Sequence, residues 1–229
     1  MKALAIIPAR GGSKRILRKN IRDFIGKPII AYSIQAALES NLFDEVMVST
    51  DDNEIARIAQ QFGAKVPFMR SGENSNDYAT TMDVIDEVLE TYLKKLKQKF
   101  KFVCCIYPTA PLIQINHLEE GLGKLKENNL TSVSPIVAYS SPVWRGLEIQ
   151  GDGKIKMIWP EYLNSRSQDL KKVYHDAGQW YWFNTDHLKD WIWPNNTGSV
   201  ILSEEIVQDI DSITDWKLAE MKYKLLNEK

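Results

Sequence analysis

The sequence predicts an α/β fold in which a mostly parallel sheet carries helices on both faces, and three observations predict it. Short β-rich apolar runs alternate with stretches of helical periodicity along most of the chain. One run, Phe102 to Tyr107, is apolar almost without interruption, as a strand covered on both faces must be. The chain has 229 residues and 44% hydrophobic content, enough to bury a full core in one unit. No repeat, low-complexity tract or long linker divides it, so residues 1–229 read as a single domain.

The elements follow in order. Ala3 to Ile7 is the first strand, and Ile30, Ile34, Ala37 and Leu38 then fall on one helical face. Glu45 to Thr50 reads as a strand and Asn53 to Phe62 as a helix. Met82, Ile85, Leu89, Tyr92 and Leu96 recur at helical spacing, before the strand Phe102 to Tyr107. Leu118 to Lys126 is a further helix, Ser132 to Ala138 a strand, and Thr214 to Leu226 an amphipathic closing helix. The rhythm breaks between about 142 and 176, where Leu147 to Ile158 alternates around Gly151-Asp152-Gly153 as a protruding β-hairpin does. Aromatic residues crowd this excursion and the chain just after it (Trp144, Trp159, Tyr162, Tyr174, Trp180, Tyr181, Trp182, Phe183), which implies a buried contact surface or a platform for a sugar ring.

Composition excludes several classes. Lys+Arg (29) and Asp+Glu (30) nearly cancel, so no basic field exists to hold nucleic acid without regard to sequence. The apolar start of the chain is too short for a secretory signal, and no run approaches a membrane span, which points to a cytoplasmic protein without membrane partners. Cys104 and Cys105, adjacent on a strand, point to opposite faces and form neither a disulfide framework nor a thiolate metal site. His117, His175 and His187 lack zinc spacing, so a catalytic metal would have to take oxygen ligands.

Two motifs carry the chemistry. The first is Pro8-Ala-Arg-Gly-Gly-Ser-Lys-Arg-Ile-Leu-Arg-Lys-Asn20, directly after the first strand. Its paired glycines let a ligand approach exposed amides, and Arg10, Lys14, Arg15, Arg18 and Lys19 concentrate positive charge, a combination suited to a triphosphate. It has neither the Walker A spacing nor the dinucleotide Gly-x-Gly-x-x-Gly, and a surface turn is its plain alternative. Arg15 and Arg18 are open between ligand contact and water. The second motif is Val207-Gln-Asp-Ile-Asp-Ser-Ile-Thr-Asp215. Asp209 and Asp211, two apart, project to one side of an extended backbone. Like charges held so close need a cation or donors between them, so the pair reads either as a Mg²⁺ site completed by phosphates or as a solvated turn. Ser212 with Asp215 reads as a capping box for the last helix. Asn74 to Thr81 could meet a base or ribose, with Thr80 or Thr81 as helix cap; either aspartate of Ser49-Thr-Asp-Asp52 could cap the helix after it.

Together these segments resemble the acylneuraminate cytidylyltransferases, which activate sialic acid-like sugars. Ile7-Pro-Ala-Arg-Gly-Gly-Ser-Lys14 with Lys19-Asn20, Ser49-Thr-Asp-Asp52, Arg70 with Asp77 and Thr81, Pro108-Thr-Ala-Pro111, Arg166-Ser-Gln-Asp169 and Asp209-Ile-Asp211 occur in the family's order. The resemblance implies a Rossmann-like fold, CTP as donor, Mg²⁺ as cofactor, and a homodimer whose protruding segment, about 142–176, crosses to the partner. It further implies that Ala9, Arg10, Gly11, Gly12, Ser13, Lys14, Lys19, Asn20, Arg70, Asp77 and Thr81 hold the nucleotide, and that Asp209 and Asp211 bind the metal. Arg10, Lys19 and Asp211 would act in catalysis, and Tyr107, Thr109, Arg166, Gln168 and His175 would face the sugar.

The departures narrow the substrate. Tyr107-Pro-Thr-Ala-Pro-Leu-Ile113 stands where sialic acid-activating members carry Gln-Pro-Thr-Ser-Pro-Leu-Arg, and the stretch after Asp169 also differs. The chain is similar to the pseudaminic acid cytidylyltransferase branch. Pseudaminic acid has deoxy and acylamino positions in place of hydroxyls, which suits the exchange of polar donors for Tyr107 and tryptophans.

Overall fold

The structure is a computed structural model that describes residues 2–188 and 192–227. The strands are β1 (Ala3–Pro8), β2 (Asp23–Phe24), β3 (Lys27–Pro28), β4 (Glu45–Ser49), β5 (Phe102–Ile106), β6 (Ser132–Ala138), β7 (Leu147–Ile149), β8 (Ile155–Met157), β9 (Tyr174–Asp176), β10 (Trp180–Asn184) and β11 (Thr197–Leu202). The α-helices are α1 (Ile30–Glu39), α2 (Asn53–Gln61), α3 (Thr81–Leu96), α4 (Ile115–Glu127) and α5 (Ile213–Asn227). The main sheet runs β11-β6-β10-β5-β1-β4, with β9 added along β6. The pairings make β1, β4, β5, β6 and β11 point one way, with β9 and β10 reversed, so the sheet is mostly parallel, as the alternating pattern predicts.

Both faces are covered, and the strand sequences say why. Ala3, Ala5 and Ile7 belong to one apolar cluster, whereas Leu4 and Ile6 belong to the other. Cys104 and Cys105 divide in the same way, both buried and free, as their adjacency on a strand requires. Helix α2 begins where Asp52 accepts from the Glu54 and Ile55 amides, and α3 begins with a reciprocal cap between Thr80 and Asp83. Of the two aspartates read as caps, Asp52 fills that role.

Four features differ from expectation. Trp180 to Phe183, read with the aromatic contact surface, is instead the reversed strand β10 between β5 and β6; Trp180 and Trp182 face one cluster, Tyr181 and Phe183 the other. Its four aromatic residues in a row read as a contact surface as readily as a buried strand, which is how it escaped the pattern. Strands β9 and β11 also went unpredicted. Leu38 and Leu96, placed on buried helical faces, are 39% and 41% exposed. Helix α5 buries only Trp216 and Ala219 and leaves Met221 and Leu225 exposed, so its apolar residues circle the helix.

The excursion at 142–176 contains the expected hairpin, β7 antiparallel to β8, with Gly153 at φ 79° in its turn. It leaves Leu147, Ile149, Ile155 and Leu163 exposed, while Trp144 packs on Trp159 and Tyr162. Chain returning from it pairs along the edge of β6 as β9, is interrupted at Ala177 to Gln179 with Gly178 at φ 63°, and resumes as β10.

Candidate active site

The loop after β1 is shaped by short-range sterics and by carboxylates from a neighbouring strand end. The Ala9 amide donates to the Ser49 carbonyl at 2.9 Å, and the Gly11 amide donates to Asp51 Oδ1 at 2.9 Å. A Cβ on Gly11 would lie 2.8 Å from Asp52 Oδ2, whereas one on Gly12 would meet nothing within 4 Å. Gly11 is therefore required by packing, and Gly12 leaves the loop surface open. Asp52 cannot retreat, because Arg18 grips it while it caps α2; that ion pair holds its carboxyl down at about 2. Arg18 itself adopts φ 55° and also reaches Glu54, so its charge is spent on structure.

Asn20 donates to the Arg10 carbonyl at 2.9 Å, fixing the loop's path. Arg70 is buried and donates from Nε to Ser49 Oγ at 2.9 Å, and burial lowers its pKa. Arg10 Nη1 lies 2.8 Å from Asp77 Oδ1 and also donates to the Asn76 carbonyl, while Lys14 pairs with the other Asp77 oxygen. Arg10, Ser13, Lys14, Lys19, Asn20, Arg70, Asp77, Thr81, Tyr107 and Thr109 line one open cavity of about 470 Å³ at the carboxyl ends of β1 and β5. That is where ligands collect in open α/β sheets. Ala9 is buried behind it.

A second cavity, of about 410 Å³, is lined by Asp209, Asp211 and His175. The two cavities meet through the cationic loop. Arg15 Nη2 lies 2.6 Å from Asp211 Oδ1, and Lys19 Nζ donates to the Ile210 carbonyl at 2.7 Å with Asp211 at 3.7 Å. Burial, then the Asp211 charge, raises the Asp209 pKa; burial lowers that of Lys19 despite both aspartates. Asp215 accepts from the Ser212 and Asp211 amides and caps α5, as expected.

Among the described residues no group of three or more His, Cys, Asp or Glu side chains is arranged around a metal position. The Asp209 and Asp211 pair still fits Mg²⁺, which takes one or two protein carboxylates and completes its octahedron with phosphate oxygens and water. A carboxyl whose pKa is raised by desolvation and by its neighbour's charge is one that a divalent ion would relieve.

Arg166 and Gln168 sit in the protruding segment and line neither cavity; Arg166 pairs with Asp169 at 2.7 Å on the exposed surface. His175 stands in the acidic cavity, its Nδ1 against the Asp176 carbonyl at 2.9 Å and its ring beside Tyr139. Arg15 and Arg18, open in the sequence between ligand contact and water, are both held by carboxylates. Sequence reasoning gives no role to Asp176 and reads Tyr181 only as part of the aromatic contact surface or sugar platform, although the Tyr181 phenol donates to Asp176. Alternation through Trp180-Tyr-Trp-Phe183, read as a strand, would have put Tyr181 on the same face as Tyr107.

A model of the cytidylyltransferase family matches residues 4–187. The chain is 42% identical over 231 residues to a pseudaminic acid cytidylyltransferase of Campylobacter jejuni, covering 100% of this chain and 99% of that one. It is 36% identical to a CMP-N,N'-diacetyllegionaminic acid synthase of Legionella pneumophila, again over 100% and 99% of the two chains. A solved CMP:2-keto-3-deoxy-manno-octonic acid synthetase complexed with CTP superposes with a TM-score of 0.69 at 21% identity over all of both chains, which shows a shared fold.

Proposed function

The chain belongs to the cytidylyltransferase family, and on that premise we propose that it couples CMP from CTP to the anomeric hydroxyl of a nine-carbon nonulosonic acid, pseudaminic acid being favoured, with release of pyrophosphate. One observation carries the reading: Arg15 and Lys19, from the cationic loop that lines the larger cavity, reach the carboxylate of Asp211. A cradle for phosphates and a carboxylate pair thus stand side by side, joined by these ion pairs.

In this reading Arg10, Lys14 and Lys19 receive the triphosphate, and Arg10 and Lys19 stabilise the departing pyrophosphate. Gly12 leaves the loop surface open beside them, and Ser13 lines the cavity. Asn20 and Arg70 keep the loop and the end of β4 in place while facing the nucleotide. Asp209 and Asp211 would hold Mg²⁺, which when bound supplies charge neutralisation at the α-phosphate. The acceptor is a hindered hydroxyl on a carbon bearing a carboxylate, and Asp211 is assigned to take its proton in preference to His175, since a base linked to the metal needs no separate activation.

Tyr107 and Thr109 would face the sugar, with His175 at its far side. Arg166 and Gln168 fit the reading through a homodimer in which the 142–176 segment reaches a second subunit; exposed Leu147, Ile149, Ile155 and Leu163 support that arrangement. No helix of the described residues is long and apolar enough to cross a membrane; a cytoplasmic location is part of this proposal. The test is CTP-dependent pyrophosphate release by Asp209→Asn and Asp211→Asn. Each should fall by on the order of 100-fold or more. Activity within a few-fold of the parent in both would remove the metal assignment.

A further inference from the structure

Asp209 and Asp211 sit on a stretch of backbone that the sheet does not hold. Among the described residues, 207–211 belongs to no strand and no helix, and runs from the short turn Glu204–Ile206 to the start of α5. Side chains from three other parts of the chain take its carbonyls and those of the turn. Gln179 Nε2 donates to the Ile206 carbonyl at 2.5 Å. Lys222 Nζ, on α5, donates to the Val207 and Glu204 carbonyls at 2.6 and 3.0 Å, and Lys19 Nζ to the Ile210 carbonyl at 2.7 Å. Ile206, Val207 and Ile210 are themselves buried, so the segment is anchored by apolar packing and aimed by these donors.

Gln179 also touches the wall of the larger cavity. Its carbonyl accepts the Tyr107 amide at 2.8 Å, which extends the pairing of β10 with β5 by one residue beyond Trp180 and Ile106. Gln179 is buried, and its side chain crosses to the turn that leads into the aspartates. The preceding Gly178 lies against the acidic pair, since a Cβ there would come within 3.9 Å of Asp209 Cγ. We propose that Gln179 and Lys222 are positioning residues that set the reach between Tyr107 and the pair Asp209 and Asp211, and so between the sugar hydroxyl and the α-phosphate. Transfer needs those two groups at near-attack distance, and a displacement of about 1 Å costs on the order of 100-fold in rate. Gln179 holds both sides within one residue, main chain on Tyr107 and side chain on the segment that carries the aspartates. The inference rests on the cytidylyltransferase reading above and adds to it the means by which the sugar end and the acidic end are kept in register.

Gln179→Met keeps the length of the side chain and removes its donor. Lys222→Met does the same on α5, where Lys222 is only partly buried, and serves as the test where Gln179→Met lowers the yield of folded protein. Amide hydrogen exchange, without metal or substrate, follows peptides covering 204–211, with β1 and β5 as the reference. Pyrophosphate release from CTP and pseudaminic acid is followed as Mg²⁺ is raised, and calorimetry measures CTP binding in the absence of Mg²⁺.

Both variants should exchange about tenfold faster across 204–211, the scale of one hydrogen bond, with β1 and β5 at the parental rate. The half-saturating Mg²⁺ concentration should rise by about threefold to tenfold and kcat fall by about tenfold. The CTP Kd without Mg²⁺ should stay within about twofold of the parent, because Arg10 and Lys14 are untouched. A merely structural role would lower the folded fraction and leave the Mg²⁺ requirement where it was. Parental exchange across 204–211 in both variants, or a parental Mg²⁺ requirement in both, would overturn the inference. A parent enzyme that turns over no nonulosonic acid with CTP would instead overturn the cytidylyltransferase reading, and the exchange measurement would still decide whether Gln179 and Lys222 hold the segment.

Discussion

Arg15 and Asp211 stand 196 positions apart in the chain and 2.6 Å apart in the fold, Nη2 to Oδ1. The contact closes the sheet's ligand end by joining the loop after β1 to the turn before α5. It also means that a metal arriving at Asp211 meets a guanidinium already there. Both side chains are substantially exposed, so their attraction is a fraction of a kilocalorie to about 1 kcal/mol. Arg15→Ala should therefore lower the half-saturating Mg²⁺ concentration by about threefold. A Mg²⁺ titration of pyrophosphate release checks this; an unchanged or raised requirement would mean that Arg15 does not compete for the carboxylate.

The two adjacent glycines should behave differently. Gly11→Ala places a methyl 2.8 Å from Asp52 Oδ2, an oxygen pinned by Arg18 and by the start of α2. It should cost about 1–3 kcal/mol of stability and raise the CTP KM, because the loop must shift to admit it. Gly12→Ala meets no protein atom within 4 Å and should leave stability within about 0.5 kcal/mol. Thermal unfolding of both variants decides, and equal destabilisation would contradict the packing argument.

Asp52 gives the fold an acid-sensitive contact. Arg18, followed by the α2 backbone amides, holds its carboxyl down at about 2 against an ordinary 3.8. A carboxyl depressed in the folded state contributes stability that is present above the unfolded value and is lost as pH falls from about 3.8 to about 2. Arg18→Gln should lower stability at neutral pH and flatten its dependence across that window. Urea unfolding at several pH values measures both, and an identical slope in parent and variant would exclude Arg18 as the cause.

The hairpin should decide the oligomeric state. Ile149 and Ile155 are 80% and 66% exposed on β7 and β8, an unusual position for β-branched apolar side chains unless a partner covers them. The parent should sediment as a dimer at micromolar concentration, and Ile149→Lys with Ile155→Lys as a monomer. A monomeric parent would leave Arg166 and Gln168 without a site to serve.

The legible parts of the fold were those where composition and boundaries agree. β6 is predicted to the residue, Ser132–Ala138, and α2 and α3 are fixed at their starts by Asp52 and Thr80. The cradle was legible because glycines and cations cluster in one loop. β10 was not, since four large aromatic residues in a row carry no alternation and resemble a surface as much as a core. Arg15 was not either: its partner lies across the whole chain, and no local pattern records a long-range ion pair. The hydrogen bond from Tyr181 to Asp176 depends on an interruption between β9 and β10 at Gly178, which only the sheet pairing reveals.

The most direct measurement is pyrophosphate release from CTP and Mg²⁺ with pseudaminic acid, sialic acid, legionaminic acid and the eight-carbon sugar Kdo offered in turn. The account predicts turnover with the nonulosonic acids and the highest kcat/KM for pseudaminic acid. Calorimetric binding of CTP with no release from any of the four sugars would contradict it, and a preference for sialic acid would contradict the role given to Tyr107.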